Sequence, residues 1–285
     1  MTTKRYYSAR FHYFCRSRQR NVAFVPGVWR RLLPHRNGAS DKVNLKTVIM
    51  QGGSFRVSVP PVTLNLIIIN FLVWLAALTL PKFGIDLTKW LGLHFFLGSD
   101  FNVVQLFTYM FMHSTSSFGH IFFNMFSVYM FGRTLEMVWG GKRFLFYYLS
   151  VGLGAGIVQE LWWLYEFWDI VNLTGDTMIN IGTQLVTREQ FLNLPLTVGA
   201  SGAAFGILLA FGMLFPNVPL YLMFIPVPIK AKYFVIFYGV AELFFGISGT
   251  MSGVAHFAHL GGMLFGFFLI RYWKKKGVGG GGNFF

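Results

Sequence analysis

The sequence predicts an all-α polytopic membrane protein with six transmembrane helices. Three observations carry this reading. Of 285 residues, 54% are hydrophobic and 19% aromatic, but only 12% are charged, about half the ~25% of a soluble domain. Two long runs, Phe101–Gly132 and Gln190–Ile229, contain no Asp, Glu, Lys or Arg. The net charge of +14 sits in the ends: residues 1–56 hold twelve Lys/Arg and one acid, residues 271–285 hold four bases, and the stretch between has eight bases against nine acids. So apolar a body excludes an ordinary soluble enzyme, and charge confined to tails argues against a nucleic-acid binder. The single cysteine, Cys15, excludes a disulfide framework and a Cys-based zinc site.

A bilayer-crossing helix needs about 20 apolar residues. Residues 61–80, PVTLNLIIINFLVWLAALTL, supply the first, with Lys82 and Lys89 after it. The second fits 118–138 and is closed by Gly140-Gly141 and Lys142-Arg143. The third runs over 144–164. The polar stretch 166–195, with Glu166, Asp169, Asp176, Arg188 and Glu189, reads as a loop. A fourth span over 196–215 leads into a Pro-rich turn (Pro216, Pro219, Pro226, Pro228). The fifth, 231–248, ends in the Gly/Ser-rich GISGTMSG, and the sixth, 253–272, stops at RYWKKK. Gly152/Gly156, Gly202/Gly206 and Gly262/Gly266 recur at four-residue spacing, which lets helix backbones approach closely in lipid.

Six spans put both termini on one side. That side carries the basic tails with Lys142, Arg143, Lys230 and Lys232; the other carries Lys82, Lys89 and Arg188 among six acids. The positive-inside rule therefore places both termini in the cytoplasm. The expected organisation is a basic, mobile cytoplasmic segment over 1–56, a six-helix core over 57–273, and a basic, Gly-rich tail over 274–285. Residues 1–50 have no uninterrupted apolar core, so no signal peptide is expected. Their Arg-rich, acid-poor composition fits a transit peptide, a segment that binds lipid headgroups, or chain upstream of a natural start at Met50.

Polar groups inside spans are costly and are functional candidates. His120 and Asn124 lie near the start of the second span, Ser201 near the start of the fourth, and His259 in the first half of the sixth. These spans all enter from the non-cytoplasmic face, so the four groups lie at similar depth. His120 and Asn124, four residues apart, share a helical face. A Ser and a His at one depth can form a nucleophile–base pair; the Asn amide and the second His can donate to a developing oxyanion. Gly199 and Gly202, beside Ser201, allow close backbone approach.

With these residues in view, the sequence resembles the rhomboid family of intramembrane serine proteases, and its bacterial members in the opening SFRVSVPPVTLNLIIIN. His120-x-x-x-Asn124, Gly199-Ala200-Ser201-Gly202 and Ala258-His259-Leu260-Gly261-Gly262 look like the family's motifs on the second, fourth and sixth helices. FGRTLEMVWGGKRFLFYY, with Glu136, is similar to its second-to-third helix junction. The resemblance implies a rhomboid-like bundle and peptide hydrolysis through an acyl-enzyme. Ser201 would be the nucleophile and His259 the base, in a dyad without a carboxylate. His120, Asn124 and the Ser201 N–H would form the oxyanion hole. Substrates would be transmembrane proteins, admitted past a gate made by the fifth span and loop 246–253, in a bacterial inner membrane. No cofactor or metal is implied.

Three positions depart from the family pattern. Val104-Gln105 stands where Trp-Arg is common in the first loop, leaving open how that loop is anchored. Phe205, where a Tyr often stacks on the base, can stack but lacks the hydroxyl. His256 is an extra histidine and a rival base. Two other classes compete: a metalloprotease on His256-x-x-His259 with His113 or His120, which lacks the Glu of His-Glu-x-x-His, and a transporter or channel using the intramembrane histidines as a proton relay with Glu242, an acid that reads better as the partner of another helix or as wetted near the outer face. A catalytically inactive rhomboid-like scaffold is the closer alternative, although such relatives usually lose the Ser or the His.

Overall fold

The structure, a computed structural model, describes residues 59–173, 178–182, 184–222, 225–249 and 253–277, which belong to one compact unit. The expectations for 1–56, Met50 and the end of the tail lie outside the described residues, as do 250–252 of the gate loop.

The body is mostly helical, with a principal helix at each position expected from the sequence. These are α1 (Pro61–Thr79), α2, α3 (Gly141–Glu166), α4 (Ser201–Leu214), α5 (Ala231–Ser248) and α6 (His256–Lys275). In α2, Phe118–Ser127, a π-helical turn Val128–Gly132 and Arg133–Trp139 form one continuous rod. Three segments, Pro61–Phe83, Gly141–Glu166 and Ala231–Ser248, are long and apolar enough to cross a bilayer on length and composition alone. Large apolar side chains such as Leu72, Phe123, Leu161, Phe237 and Phe268 face outward, as expected where the surrounding solvent is lipid.

The helix ends differ from the expected ones for local reasons. Gly140, at φ 78°, separates α2 from α3. Helix α3 then begins at Gly141 and takes in Lys142 and Arg143, long side chains that can extend to the interface. At its end α6 runs on through Lys274 and Lys275, since cations are favourable at a helix C-terminus. The start of α4 is displaced most. Leu196 and Thr197 are extended and Gly199 is at φ 133°, so the helix begins at Ser201 itself.

Between the helices, the described residues also form three short antiparallel ladders. β1 (Leu93–His94) pairs with β4 (Leu196–Thr197), tying the first loop to the chain just before Ser201. β2 (Ile179–Asn180) pairs with β3 (Leu185–Val186) in the polar loop. β5 (Pro219–Leu222) and β6 (Ile225–Lys230) pair within the stretch read as a Pro-rich turn. A lone two-stranded hairpin leaves both edges free, which is where proline is tolerated.

Glycines bring the core helices together. A Cβ on Gly262 would collide with the Gly202 carbonyl oxygen, and one on Gly206 would lie 2.9 Å from the Val151 side chain. The bared carbonyls are used as acceptors: Tyr109 Oη donates to Gly152 O at 2.7 Å and Tyr147 Oη to Gly206 O at 2.8 Å. Glu136 joins α2 to α1, accepting from Val62 N, Thr63 N and Thr63 Oγ1 at 2.7–2.9 Å. A distant carboxylate thus satisfies the first free N–H groups of α1.

Candidate active site

Ser201 is the first residue of α4, where backbone N–H groups lack intrahelical partners and the helix dipole is positive. The close Gly202–Gly262 contact between α4 and α6 brings His259 opposite it. His259 Nε2 lies 2.7 Å from Ser201 Oγ. Phe205, one turn along α4, stacks on the His259 ring at 4.3 Å between centroids and 7° between planes, as its position suggested. His256 Nδ1 bonds Glu242 Oε2 instead, at 2.7 Å. Of the two histidines on α6, His259 is the one that reaches the hydroxyl.

The second histidine expected at the site is there too. Ser114 N donates to His120 Nδ1 at 3.2 Å, which leaves Nε2 as the protonated nitrogen of a neutral ring. That nitrogen would lie 2.9 Å from a Cβ placed on Gly199, and Ser201 Oγ 3.6 Å from the same point. Gly199 therefore has two reasons to lack a side chain: its positive φ and the proximity of His120 Nε2 and Ser201 Oγ. Asn124 is buried, with Nδ2 donating 2.8 Å to the His120 carbonyl; it is not among the residues lining the cavity. His113 packs edge-on against His120 at 5.2 Å, and its Nε2 accepts a long hydrogen bond of 3.5 Å from Ala200 N.

Ser201, His120 and His259 all line one cavity of about 720 Å³, whose walls include Trp162, Phe245 and Phe257. Trp162 and Phe257 stack at 3.5 Å and 12°. A cavity this size, mainly apolar with a few converging polar groups, has the form of a ligand site.

The family model of the Rhomboid domain matches residues 100–276. The chain belongs to the rhomboid family. Among curated proteins, none matches it. Rhomboid proteins are integral membrane proteins and generally serine intramembrane proteases, and the residues singled out above fall within the matched rhomboid domain. The first loop of this rhomboid, without Trp-Arg, is held from outside by its pairing with β4 and from within by Gln105. Gln105 Oε1 accepts from His94 N and Asn102 N, and its Nε2 donates to Trp90 O and Asp100 O, at 3.0–3.3 Å.

One feature departs from the carboxylate-free dyad that the resemblance implied. Glu242 Oε2, from α5, lies 2.9 Å from His259 Nδ1 and 2.7 Å from His256 Nδ1. The sequence suggested another helix as the partner of this acid in the fifth span but named no residue, because helical periodicity does not encode how α5 crosses α6. Together Glu242, His256 and His259 offer three potential ligand atoms within 4.8 Å of one another.

Proposed function

We propose that this rhomboid is an active serine endopeptidase that hydrolyses peptide bonds in or near the transmembrane segments of other membrane proteins. The observation that carries the reading is the 2.7 Å contact between Ser201 Oγ and His259 Nε2 at the start of α4, in a cavity shared with His120. As Ser201 Oγ bonds to the scissile carbonyl carbon, its proton passes to His259 Nε2 and the carbonyl π pair moves onto oxygen. The resulting oxyanion is placed to accept from the Ser201 N–H and from His120 Nε2–H. Asn124 supplies a further donor by turning its amide away from the His120 carbonyl. Collapse of the intermediate returns the electron pair, breaks the C–N bond and delivers the His259 proton to the leaving amine. Water then repeats the sequence on the acyl-enzyme, with His259 again as base.

Gly199 leaves room for the substrate backbone beside Ser201, Gly202 lets α4 approach α3 and α6, and Phe205 holds the base ring. Entry past α5 is supported by its loose packing: its fully buried residues, Ala231, Phe234 and Val235, all lie near its start. With both termini cytoplasmic, the site opens on the opposite face of what we read as a bacterial inner membrane.

A fluorophosphonate probe tests the central claim without knowledge of a natural substrate. Purified protein in detergent should be labelled on Ser201 and should cleave a model transmembrane substrate; Ser201→Ala should do neither. Undiminished cleavage by Ser201→Ala would refute the serine mechanism. A folded wild type that neither labels nor cleaves would identify a scaffold.

A further inference from the structure

We infer that Glu242 is a positioning carboxylate that extends the Ser201–His259 pair to a three-membered relay, with His256 holding the carboxylate in place. This rests on the serine-protease reading above. The geometry is specific. A neutral imidazole has one N–H; a carboxylate oxygen 2.9 Å from His259 Nδ1 places that hydrogen on Nδ1. The Nε2 lone pair is then directed at Ser201 Oγ, 2.7 Å away, as a general base requires. When Nε2 takes the serine proton, the ring becomes a cation, and the adjacent negative charge stabilises it where water is scarce.

Glu242 itself is mostly enclosed, with 12% of its side chain exposed, and an unpartnered carboxylate there would be costly. His256 answers that cost. It lies three residues before His259 on α6, and its Nδ1 donates to the same oxygen at 2.7 Å. Its other nitrogen has no hydrogen-bond partner among the described residues. Among the described residues, the ring's hydrogen bond is with Glu242. Two N–H groups converging from one helix thus fix an oxygen carried by another.

The same three groups could hold a metal ion only by giving up this arrangement. A cation on Nδ1 of His259 would force the hydrogen onto Nε2 and remove the base. Metal and serine chemistry therefore exclude one another at this cluster.

The test is Glu242→Gln in the full chain, which keeps the shape and one acceptor oxygen but removes the charge. Labelling rate and kcat should fall about 10²- to 10⁴-fold, as when the carboxylate behind a catalytic histidine is neutralised, with KM and thermal midpoint unchanged. His256→Gln should cost roughly tenfold, in the manner of an outer partner that orients a histidine, and nothing further in the Glu242→Gln background. A residue that merely packs would not lose its effect in that background. Should Glu242→Gln fail to fold, the wild type still decides. Its low-field proton spectrum should contain two imidazole N–H resonances, one lost in His259→Ala and the other in His256→Ala. Glu242→Gln reacting at the wild-type rate, or absence of both resonances, would overturn the relay while a dead Ser201→Ala left the protease reading intact. Failure of the wild type itself to label would overturn the reading on which the relay rests. Loss of activity on treatment with EDTA would show that the cluster holds a metal, and would overturn the relay.

Discussion

Substituting Gly202 by alanine measures how closely catalysis depends on helix packing. A Cβ at this position would lie 2.5 Å from Ala155 Cβ on α3 and 3.3 Å from the Ala258 carbonyl on α6. Ordinary carbon–carbon contact is about 3.5–4.0 Å, so α4 must retreat from α3 by roughly 1 Å or more. Neither obstacle is the end of a flexible chain, so the start of α4 has to move, and Ser201 is its first residue. The Ser201–His259 contact is 2.7 Å; a displacement of about 1 Å carries it past the limit of a hydrogen bond. Misplacement on this scale costs about 10²-fold in rate, and overpacking costs about 1–3 kcal/mol in stability. Gly212→Ala is the control. Its Cβ would meet Val235 Cγ2 at 2.6 Å, but about 15 Å further along the helix. Fluorophosphonate labelling rates and thermal midpoints of both variants should separate the effects: both lose stability, and only Gly202→Ala loses labelling in proportion to the displaced contact. Wild-type labelling by folded Gly202→Ala, or equal loss in Gly212→Ala, would refute the reasoning.

Other perturbations address single groups. Asn124→Ala should slow cleavage about 10²-fold, as for loss of one oxyanion donor, with the protein still folded by circular dichroism. Glu136→Gln should lower unfolding stability in detergent by roughly 1–3 kcal/mol, because one oxygen replaces a carboxylate that takes three hydrogen bonds; the kcat of the folded fraction should be near that of wild type. On the proposed mechanism EDTA should leave the rate of substrate cleavage unchanged, since Glu242 would orient His259 without any ion.

The parts of this fold that could be read from the sequence share a physical basis. Helices in lipid are coded by uninterrupted apolar runs, and the Gly/Gly pairs at four-residue spacing mark where backbones touch. Gly202, Gly206 and Gly262 do make those contacts, and they carry Ser201 to His259. Phe205 was pointed to by the family resemblance, and its place one helical turn after Ser201 on α4 puts it against the His259 ring. What escaped the sequence depends on angles no periodicity encodes. The strand at Leu196–Thr197 and the turn at Gly199 delay the start of α4 by five residues relative to the apolar run, because an apolar run does not distinguish buried extended chain from helix. Gln105 looked like a missing Trp-Arg motif, yet its amide has the two acceptor and two donor contacts needed to close a loop on itself.

Glu242 illustrates the same limit at the site. An acid in a span is conspicuous in sequence, but its meaning depends on which face of α5 it occupies and how α5 crosses α6. The crossing places one carboxylate oxygen between two Nδ1 atoms. That arrangement has a consequence for entry. The outer half of α5 buries little apolar surface, whereas the hydrogen bonds from His256 and His259 tie it to α6. Lateral movement of α5 sufficient to admit a substrate helix would stretch those bonds and remove the carboxylate from the base. Substrate entry and assembly of the full relay would then be sequential, with His259 oriented for proton transfer only after α5 had closed again behind the substrate.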